Sequence, residues 1–294
     1  MRSGFITIVG RPNVGKSTLL NRIVGQKVAI VTAKPQTTRN RVLAIANLPG
    51  AQMVFFDTPG IHKPHHEMNR RMVETALRSL KQVDVILLVC DVTEPLGRGD
   101  AYVLEQLRDI ETPAVLAINK IDRVARPRIL PVIDSYRTEH DFVDIVPCSA
   151  LEGEGVDVLV DVLASHLAEG EPLYPPDALT DLPERFFVSE IVREKVLEST
   201  RNEVPYAAAV LVDSWEEGNE LTRIEATILV ERASQRGILV GKGGVMLKHI
   251  GTAARKDIEA FLGTRVFLGL HVKVRADWRE NRRLLSELGI DPRR

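Results

Sequence analysis

Short, almost unbroken apolar runs recur through the first half of the chain, at residues 5–9, 52–56, 85–90, 114–118 and 143–146. Runs of this length without polar alternation predict strands buried on both faces of a mainly parallel sheet. Between them, apolar positions return at helical spacing over 17–24, 68–81, 102–109 and 129–139. Strand and helix in alternation define an α/β domain with a doubly wound, mainly parallel sheet.

The pattern breaks at 171–183, which holds Pro172, Pro175, Pro176 and Pro183 and no apolar period. This stretch reads as a stiffened linker. Beyond it, 184–201 presents an apolar helical side, and 206–215 and 221–230 form a strand pair around the turn-forming Gly218-Asn219 step. A helix over 245–261 and an alternating strand over 265–275 complete a smaller α+β unit. The expected division is a first domain at 1–170, a linker at 171–183, a second domain at 184–275 and a basic tail at 276–294.

Composition narrows the class. Of 294 residues, 44% are hydrophobic and 27% charged, which suits a globular chain and excludes a disordered one. No apolar run approaches the ~20 residues of a membrane-spanning helix, so no transmembrane segment is expected. The start at Met1 runs directly into a motif with no cleavable leader, and Cys90 and Cys148 each follow an apolar run, as small buried thiols do. These features together predict a cytoplasmic protein. The net charge of −1 conceals an asymmetry. Residues 235–294 carry 13 Lys and Arg against 6 Asp and Glu, so the acidic excess lies upstream. A basic segment on a neutral chain points to a polyanionic partner for that segment, against the plainer reading of a solvated face.

Gly10-Arg11-Pro12-Asn13-Val14-Gly15-Lys16-Ser17 matches the phosphate-loop pattern Gly-x-x-x-x-Gly-Lys-Ser/Thr, directly after one predicted strand and at the start of a helix that continues through Thr18. Such a loop curls its backbone N–H groups around phosphates at a helix N-terminus. Lys16 then reaches the β- and γ-phosphates and the Ser17 hydroxyl becomes a Mg2+ ligand. Asp57-Thr58-Pro59-Gly60 follows the second strand, placing Asp57 to hold Mg2+ and the Gly60 N–H to meet the γ-phosphate. Asn119-Lys120-Ile121-Asp122 follows another strand. The Asp122 carboxylate can accept from the N1–H and exocyclic amine of guanine, a donor pair adenine lacks. Ser149-Ala150-Leu151 resembles the segment whose backbone N–H meets guanine O6. In this order, each at a strand end, these pieces define a GTPase alternating between GTP and GDP.

The segment Lys34-Pro35-Gln36-Thr37-Thr38-Arg39 reads as the loop that senses the γ-phosphate, with Thr38 as the Mg2+ ligand and Thr37 as the alternative. After Gly60, where many GTPases place a water-orienting glutamine, stands Ile61. Hydrolysis must be helped from elsewhere or be slow. Asn13 and the Thr38 region are what GTPases of this kind use to hold K+, and a plain turn role for Asn13 is equally open.

Gly241-Lys242-Gly243-Gly244 lies between the apolar run Ile238-Leu239-Val240 and the helix carrying Lys248, Arg255 and Lys256. This looks like the GxxG loop of a KH domain, which clamps a nucleic-acid backbone while the bases lie in an apolar groove. The expected RNA contacts are Ile238, Val240, Gly241, Lys242, Gly243, Gly244, Lys248 and Arg255.

With these motifs in order, the chain resembles the Era family of bacterial ribosome-assembly GTPases with a C-terminal type II KH domain. The resemblance spans essentially the whole chain. It is most specific in Lys34 to Arg39, in Asp57-Thr58-Pro59-Gly60-Ile61-His62, and in Ile250-Gly251-Thr252-Ala253-Ala254-Arg255-Lys256-Asp257-Ile258. It implies binding to the 3′ end of 16S ribosomal RNA, GTP-controlled maturation of the 30S ribosomal subunit, and, for some relatives, peripheral association with the inner face of the cell membrane. Two functions stay open: a hydrolysing switch, and an RNA-binding factor whose nucleotide site is a sensor with incidental turnover. Gly243 leaves the firmness of the GxxG clamp open, and the tail (Trp278, Arg279, Arg282, Arg283) reads either as a second RNA contact or as a charged terminal helix.

Overall fold

The computed structural model describes residues 1–64, 66–201 and 204–291. Its first half contains β1 (Arg2–Val9), α1 (Lys16–Val24), β2 (Val42–Leu48), β3 (Ala51–Asp57), α2 (Glu67–Ser79), β4 (Val85–Asp91), α3 (Arg98–Leu107), β5 (Ala114–Asn119), α4 (Ile129–Arg137), β6 (Asp144–Pro147) and α5 (Val156–Ser165). The six strands form one sheet in the order β2-β3-β1-β4-β5-β6, parallel except for β2 against β3.

The unbroken apolar runs conceal a strand period, because both faces are covered. Val85, Leu87 and Val89 of β4 join one core with Leu19, Leu20 and Ile23 of α1 and Leu159 and Leu163 of α5. Ile86, Leu88 and Cys90 join the other, with Val103, Leu104 and Leu107 of α3 and Tyr136 of α4. Cys90 and Cys148 are buried free thiols whose ionisation burial pushes up, so both are inert packing groups.

The proline-rich stretch is not a free tether. The Ile45 N–H donates to the Leu179 carbonyl at 2.8 Å, the Thr180 hydroxyl to the Leu43 carbonyl at 2.7 Å, and Gln52 Oε1 accepts from the Leu173 and Tyr174 N–H groups. The segment therefore lies along β2 and covers an edge that would otherwise present unpaired backbone.

The second unit runs α6 (Glu184–Ser199), α7 (Val204–Ala207), β7 (Ala209–Glu217), β8 (Leu221–Val230), α8 (Ala233–Val240), α9 (Val245–Leu262) and β9 (Arg265–Val274). Strand β7 pairs antiparallel with β8, which pairs parallel with β9. The hairpin closes where expected, the Gly218 N–H donating to the Leu221 carbonyl at 3.2 Å. Strand β7 starts later than its apolar pattern suggests, since Pro205 sits in the first turn of α7, where its missing N–H costs nothing.

The basic tail ends in the expected charged helix, with Arg282 and Arg283 exposed, but it is not only that. It carries α10 (Arg282–Glu287), yet Trp278 is 1% exposed and its indole donates to the Ala207 carbonyl at 2.8 Å. Trp278, Leu285 and Ile290 share a core with Met68 and Met72 of α2 and with Ala209 and Leu229 of the second unit. The tail is a wedge between the two halves, and its tryptophan is unavailable for stacking on a base.

Candidate nucleotide site and nucleic-acid interface

The phosphate loop closes β1 and starts α1. Gly15 adopts φ 100°, and a Cβ there would stand 2.3 Å from Asn119 Nδ2, so only glycine permits this approach. Lys16 is buried, and its ammonium donates to the Gly10 and Arg11 carbonyls at 3.2 and 2.9 Å. Burial lowers its pKa to about 8, with the nearby Asp57 charge opposing the shift. A cleft of about 370 Å3 opens before it, lined among others by Asn13, Lys16, Ser17, Thr18, Thr38, Gly60 and Lys120.

Asp57, fully buried at the end of β3, gathers the hydroxyls. Its Oδ2 accepts from Ser17 at 2.6 Å and from Thr38 at 3.3 Å, and the two hydroxyls lie 2.9 Å apart. Asp57 Oδ1 is buried with no hydrogen-bond partner. Burial raises its carboxyl pKa, opposed chiefly by Lys16. Two hydroxyls converging on a buried, half-satisfied carboxylate make a set of three oxygen ligands that suits a hard divalent cation such as Mg2+. The geometry separates Thr38 from Thr37, whose hydroxyl is spent on Thr32 Oγ1 at 2.8 Å and the Lys34 carbonyl at 2.7 Å.

Gly60 packs against the phosphate loop: a Cβ there would stand 2.7 Å from the Pro12 nitrogen. The Ile61 N–H donates to the Gly10 carbonyl at 3.1 Å, while its side chain is fully buried beside Val9, Ala76 and Leu80. Residue 61 is thus part of the core, turned away from any water in the cleft. Asn13, at φ 65°, donates through its amide to the Ala33 carbonyl at 3.1 Å, tying the phosphate loop to the loop that precedes Thr38.

The base-side residues divide into braces and a reader. Asn119 Nδ2 donates to the Val14 carbonyl at 2.8 Å, and its Oδ1 accepts from the Ala150 N–H at 2.9 Å. Lys120 donates to the Asn13 carbonyl at 2.8 Å and pairs with Asp91 at 2.5 Å. Both stitch the loops together. Asp122 is exposed, and its carboxylate accepts from the buried Ser149 hydroxyl at 2.6 Å, which aims it. Leu151 is exposed, and Arg22 donates to the carbonyls of Ala150 and Leu151. Sequence reasoning missed Asp91 and Arg22, because each acts through a partner far along the chain and carries no local signal.

In the second unit, α8 and α9 meet at the GxxG loop. Gly241, Gly243 and Gly244 take φ of 71°, 63° and 81°, a left-handed path that other residues resist. The loop forms a short 3₁₀ turn closed by the Gly244 N–H on the Gly241 carbonyl at 3.2 Å, with Gly243 left-handed inside it. Lys242, Gly243, Lys248 and Arg255 are exposed, as is Ile238, with Val240, Gly241 and Gly244 half-buried. Lys248 and Arg255 stand seven residues apart on α9 and so share one face. Val245, on that same face, is 68% exposed.

Fold and sites together define a phosphate-loop GTPase joined to a KH domain. Residues 5–120 match the family model described as a 50S ribosome-binding GTPase, and 203–279 match that of the KH domain. The chain is 52% identical over 291 residues to the GTPase Era of Geotalea uraniireducens (99% of this chain, 98% of the relative), and 51% identical over 290 residues to that of Geobacter metallireducens (98% and 97%). It belongs to the Era GTPase family. Two solved structures, each 42% identical and covered over 99% of this chain, superpose closely. One is a variant of Aquifex aeolicus Era bound to GDP·AlF4− (TM-score 0.95, all of that chain). The other is Era in complex with MgGDPNP and nucleotides 1506–1542 of 16S ribosomal RNA (TM-score 0.96, 99% of that chain). No helix of the described residues is long and apolar enough to cross a membrane.

Proposed function

We propose that this GTPase is a nucleotide-operated switch that binds the 3′ end of 16S ribosomal RNA through its KH domain and assists maturation of the 30S subunit. The observation that carries the reading is the convergence of Ser17, Thr38 and Asp57 at one end of the cleft, in a chain whose 42%-identical relative holds MgGDPNP and that RNA segment. In this reading Lys16 releases the Gly10 and Arg11 carbonyls and turns to the β- and γ-phosphates. Ser17, Thr38 and Asp57 hold Mg2+, which when bound neutralises charge on the phosphate oxygens. The Gly60 N–H meets the γ-phosphate, and the Ser149–Leu151 backbone and Asp122 read guanine. The GxxG loop, Ile238, Val240, Lys248 and Arg255 contact RNA.

The functional units assigned here are 1–170, 171–183, 184–275 and 276–294, with a cytoplasmic site of action. A monovalent ion, K+, is assigned to Asn13 and the Thr38 loop; equal turnover in potassium and sodium salts defeats that assignment. Peripheral association with the membrane face belongs to the same family reading, and sedimentation with anionic vesicles checks it.

Burial of Ile61 favours a second reading, in which the site senses nucleotide and turnover is incidental. Titrating a 16S 3′-end fragment against protein holding GDP or a non-hydrolysable GTP analogue, and measuring turnover with and without that RNA, decides. A switch shows state-dependent RNA affinity and RNA-stimulated hydrolysis; equal affinities and unchanged rates defeat it.

A further inference from the structure

The loop 31–39 has no helix or strand of its own, and beside its GTPase-side contacts at Ala33 and Thr38 it has anchors from the KH domain. Glu190, Arg193, Glu194 and Leu197 recur at i, i+3, i+4 and i+7 and so share one face of α6, while Val188, Ile191, Val192 and Val196 turn into the KH core. Glu194, buried, accepts the Val31 N–H at 3.1 Å and pairs with Lys27 at 2.5 Å. Lys34 donates to the carbonyls of Leu197 and Thr200, where unsatisfied carbonyls at the end of a helix favour a cation. Arg193, also buried, is held by Glu190 through its Nε at 2.7 Å and its Nη2 at 2.5 Å, and the same Nη2 donates to the carbonyl of Thr37. One residue further, the Thr38 hydroxyl stands 2.9 Å from Ser17 Oγ and 3.3 Å from Asp57 Oδ2.

We propose that the KH domain completes the GTPase site: Arg193, oriented by Glu190, is a positioning residue that fixes the Thr37 carbonyl and thereby keeps the Thr38 hydroxyl at the metal position. This rests on the reading of Thr38 as a Mg2+ ligand. The guanidinium is committed to Glu190 before it meets the loop, so little rotamer freedom remains to be lost in holding Thr37. A buried ion pair is poor value for stability alone, which fits a role in specifying one loop conformation. The arrangement also couples the two halves reciprocally: displacement of α6 releases Thr38, and a fixed Thr38 loop favours α6 in place.

The test uses the full chain with GTP and Mg2+. Arg193→Met is expected to lower kcat at least tenfold while GDP affinity stays within twofold, and Arg193→Lys to recover part of the loss. Glu190→Gln, which carries the test if Arg193→Met does not fold, is expected to give a smaller loss in the same direction. In a Thr38→Ala background, Arg193→Met is expected to add less than twofold, since both changes act through one hydroxyl. If Thr38→Ala slows turnover but Arg193→Met and Glu190→Gln do not, or if Arg193→Met keeps its full effect without Thr38, the positioning role is overturned and α6 is only a docking face. If Thr38→Ala leaves kcat unchanged, the metal-ligand reading itself falls and takes the proposal with it.

Discussion

Arg39 donates through Nη1 to the carbonyl of Ala208 at 2.6 Å, joining the residue after Thr38 to the link between α7 and β7 of the KH domain. Its Nη2 reaches the Pro205 and Tyr206 carbonyls at 3.0 and 3.2 Å, and the guanidinium lies 5.9 Å from the Trp278 ring centroid. Burial, then the Arg193 charge, lowers its pKa to about 9 against the pull of Glu190, which leaves it charged at neutral pH. Arg39→Met keeps the stem but strands three carbonyls, so a loss of roughly 1–3 kcal/mol is expected in denaturant unfolding. The same change should shrink the difference in RNA affinity between the GTP-analogue and GDP states, a coupling typically worth about 1–3 kcal/mol. Wild-type stability and coupling in Arg39→Met would remove this contact from the interdomain link.

Lys16 ties nucleotide affinity to pH. In the free protein its ammonium loses its proton near pH 8. Bound phosphates favour the charged form and raise that value, so binding takes up a proton above about pH 8. GTP and GDP affinity should be level below pH 8 and fall as pH rises beyond it. Calorimetry in buffers of different ionisation enthalpy checks the proton uptake; flat affinity to pH 9.5 contradicts it.

Asp122 should set base choice. Asp122→Asn can donate to the xanthine O2 that replaces the guanine amine, so preference should move from GTP toward xanthosine triphosphate. Losing the carboxylate pair should cost GTP binding about 1.5–3 kcal/mol per charged hydrogen bond. Ser149→Ala, which frees the Asp122 carboxylate from its 2.6 Å partner, should weaken GTP binding without changing preference. Competition against a fluorescent GDP reads both.

The KH loop calls for a chosen substitution. A Cβ at Gly241 would meet Met246 Cβ at 2.8 Å, so Gly241→Asp distorts the loop as well as repelling phosphate. At Gly244 a Cβ meets nothing within 4 Å, leaving only the cost of φ 81° and the new charge. Gly244→Asp should abolish binding of the 16S fragment in gel-shift titration while GTP affinity stays at its wild-type value. Retained RNA binding would place the RNA elsewhere.

Ile61 should behave as a core residue. Ile61→Ala is expected to cost about 2–5 kcal/mol of stability, as buried large-to-small changes do. Turnover per folded molecule should persist, since the side chain faces Leu80 and Ala76 and not the cleft. An unaffected melting temperature with abolished hydrolysis would reverse this assignment.

Local pattern alone determined a great deal. The apolar runs located β1, β3, β4, β5 and β6, and the phosphate loop, Asp57 and Asp122 were legible because each sits on a strand end with fixed neighbours in sequence. Strand β2 and helices α5 and α8 were not legible: β2 is an Ala-containing edge whose extended state is completed by β3 and by the backbone of 171–183, which itself reads as a tether until that pairing is seen. Thr37 and Thr38 are chemically alike in sequence, and only the fold shows which hydroxyl meets Ser17 and Asp57. Asn119 and Lys120 carry a base-recognition motif yet spend their hydrogen bonds on Val14, Ala150, Asn13 and Asp91. Trp278 looks like an exposed aromatic in a basic tail and is a core residue between domains. Spacing along the chain thus determined the chemistry that needs neighbouring residues: backbone curvature, strand-end carboxylates and helix N-termini. Whatever depends on groups more than a hundred residues apart, such as Arg193 on Thr37 or Arg39 on Ala208, was decided by tertiary packing, because burial and partner geometry are properties of the folded surface and leave no periodicity in the sequence.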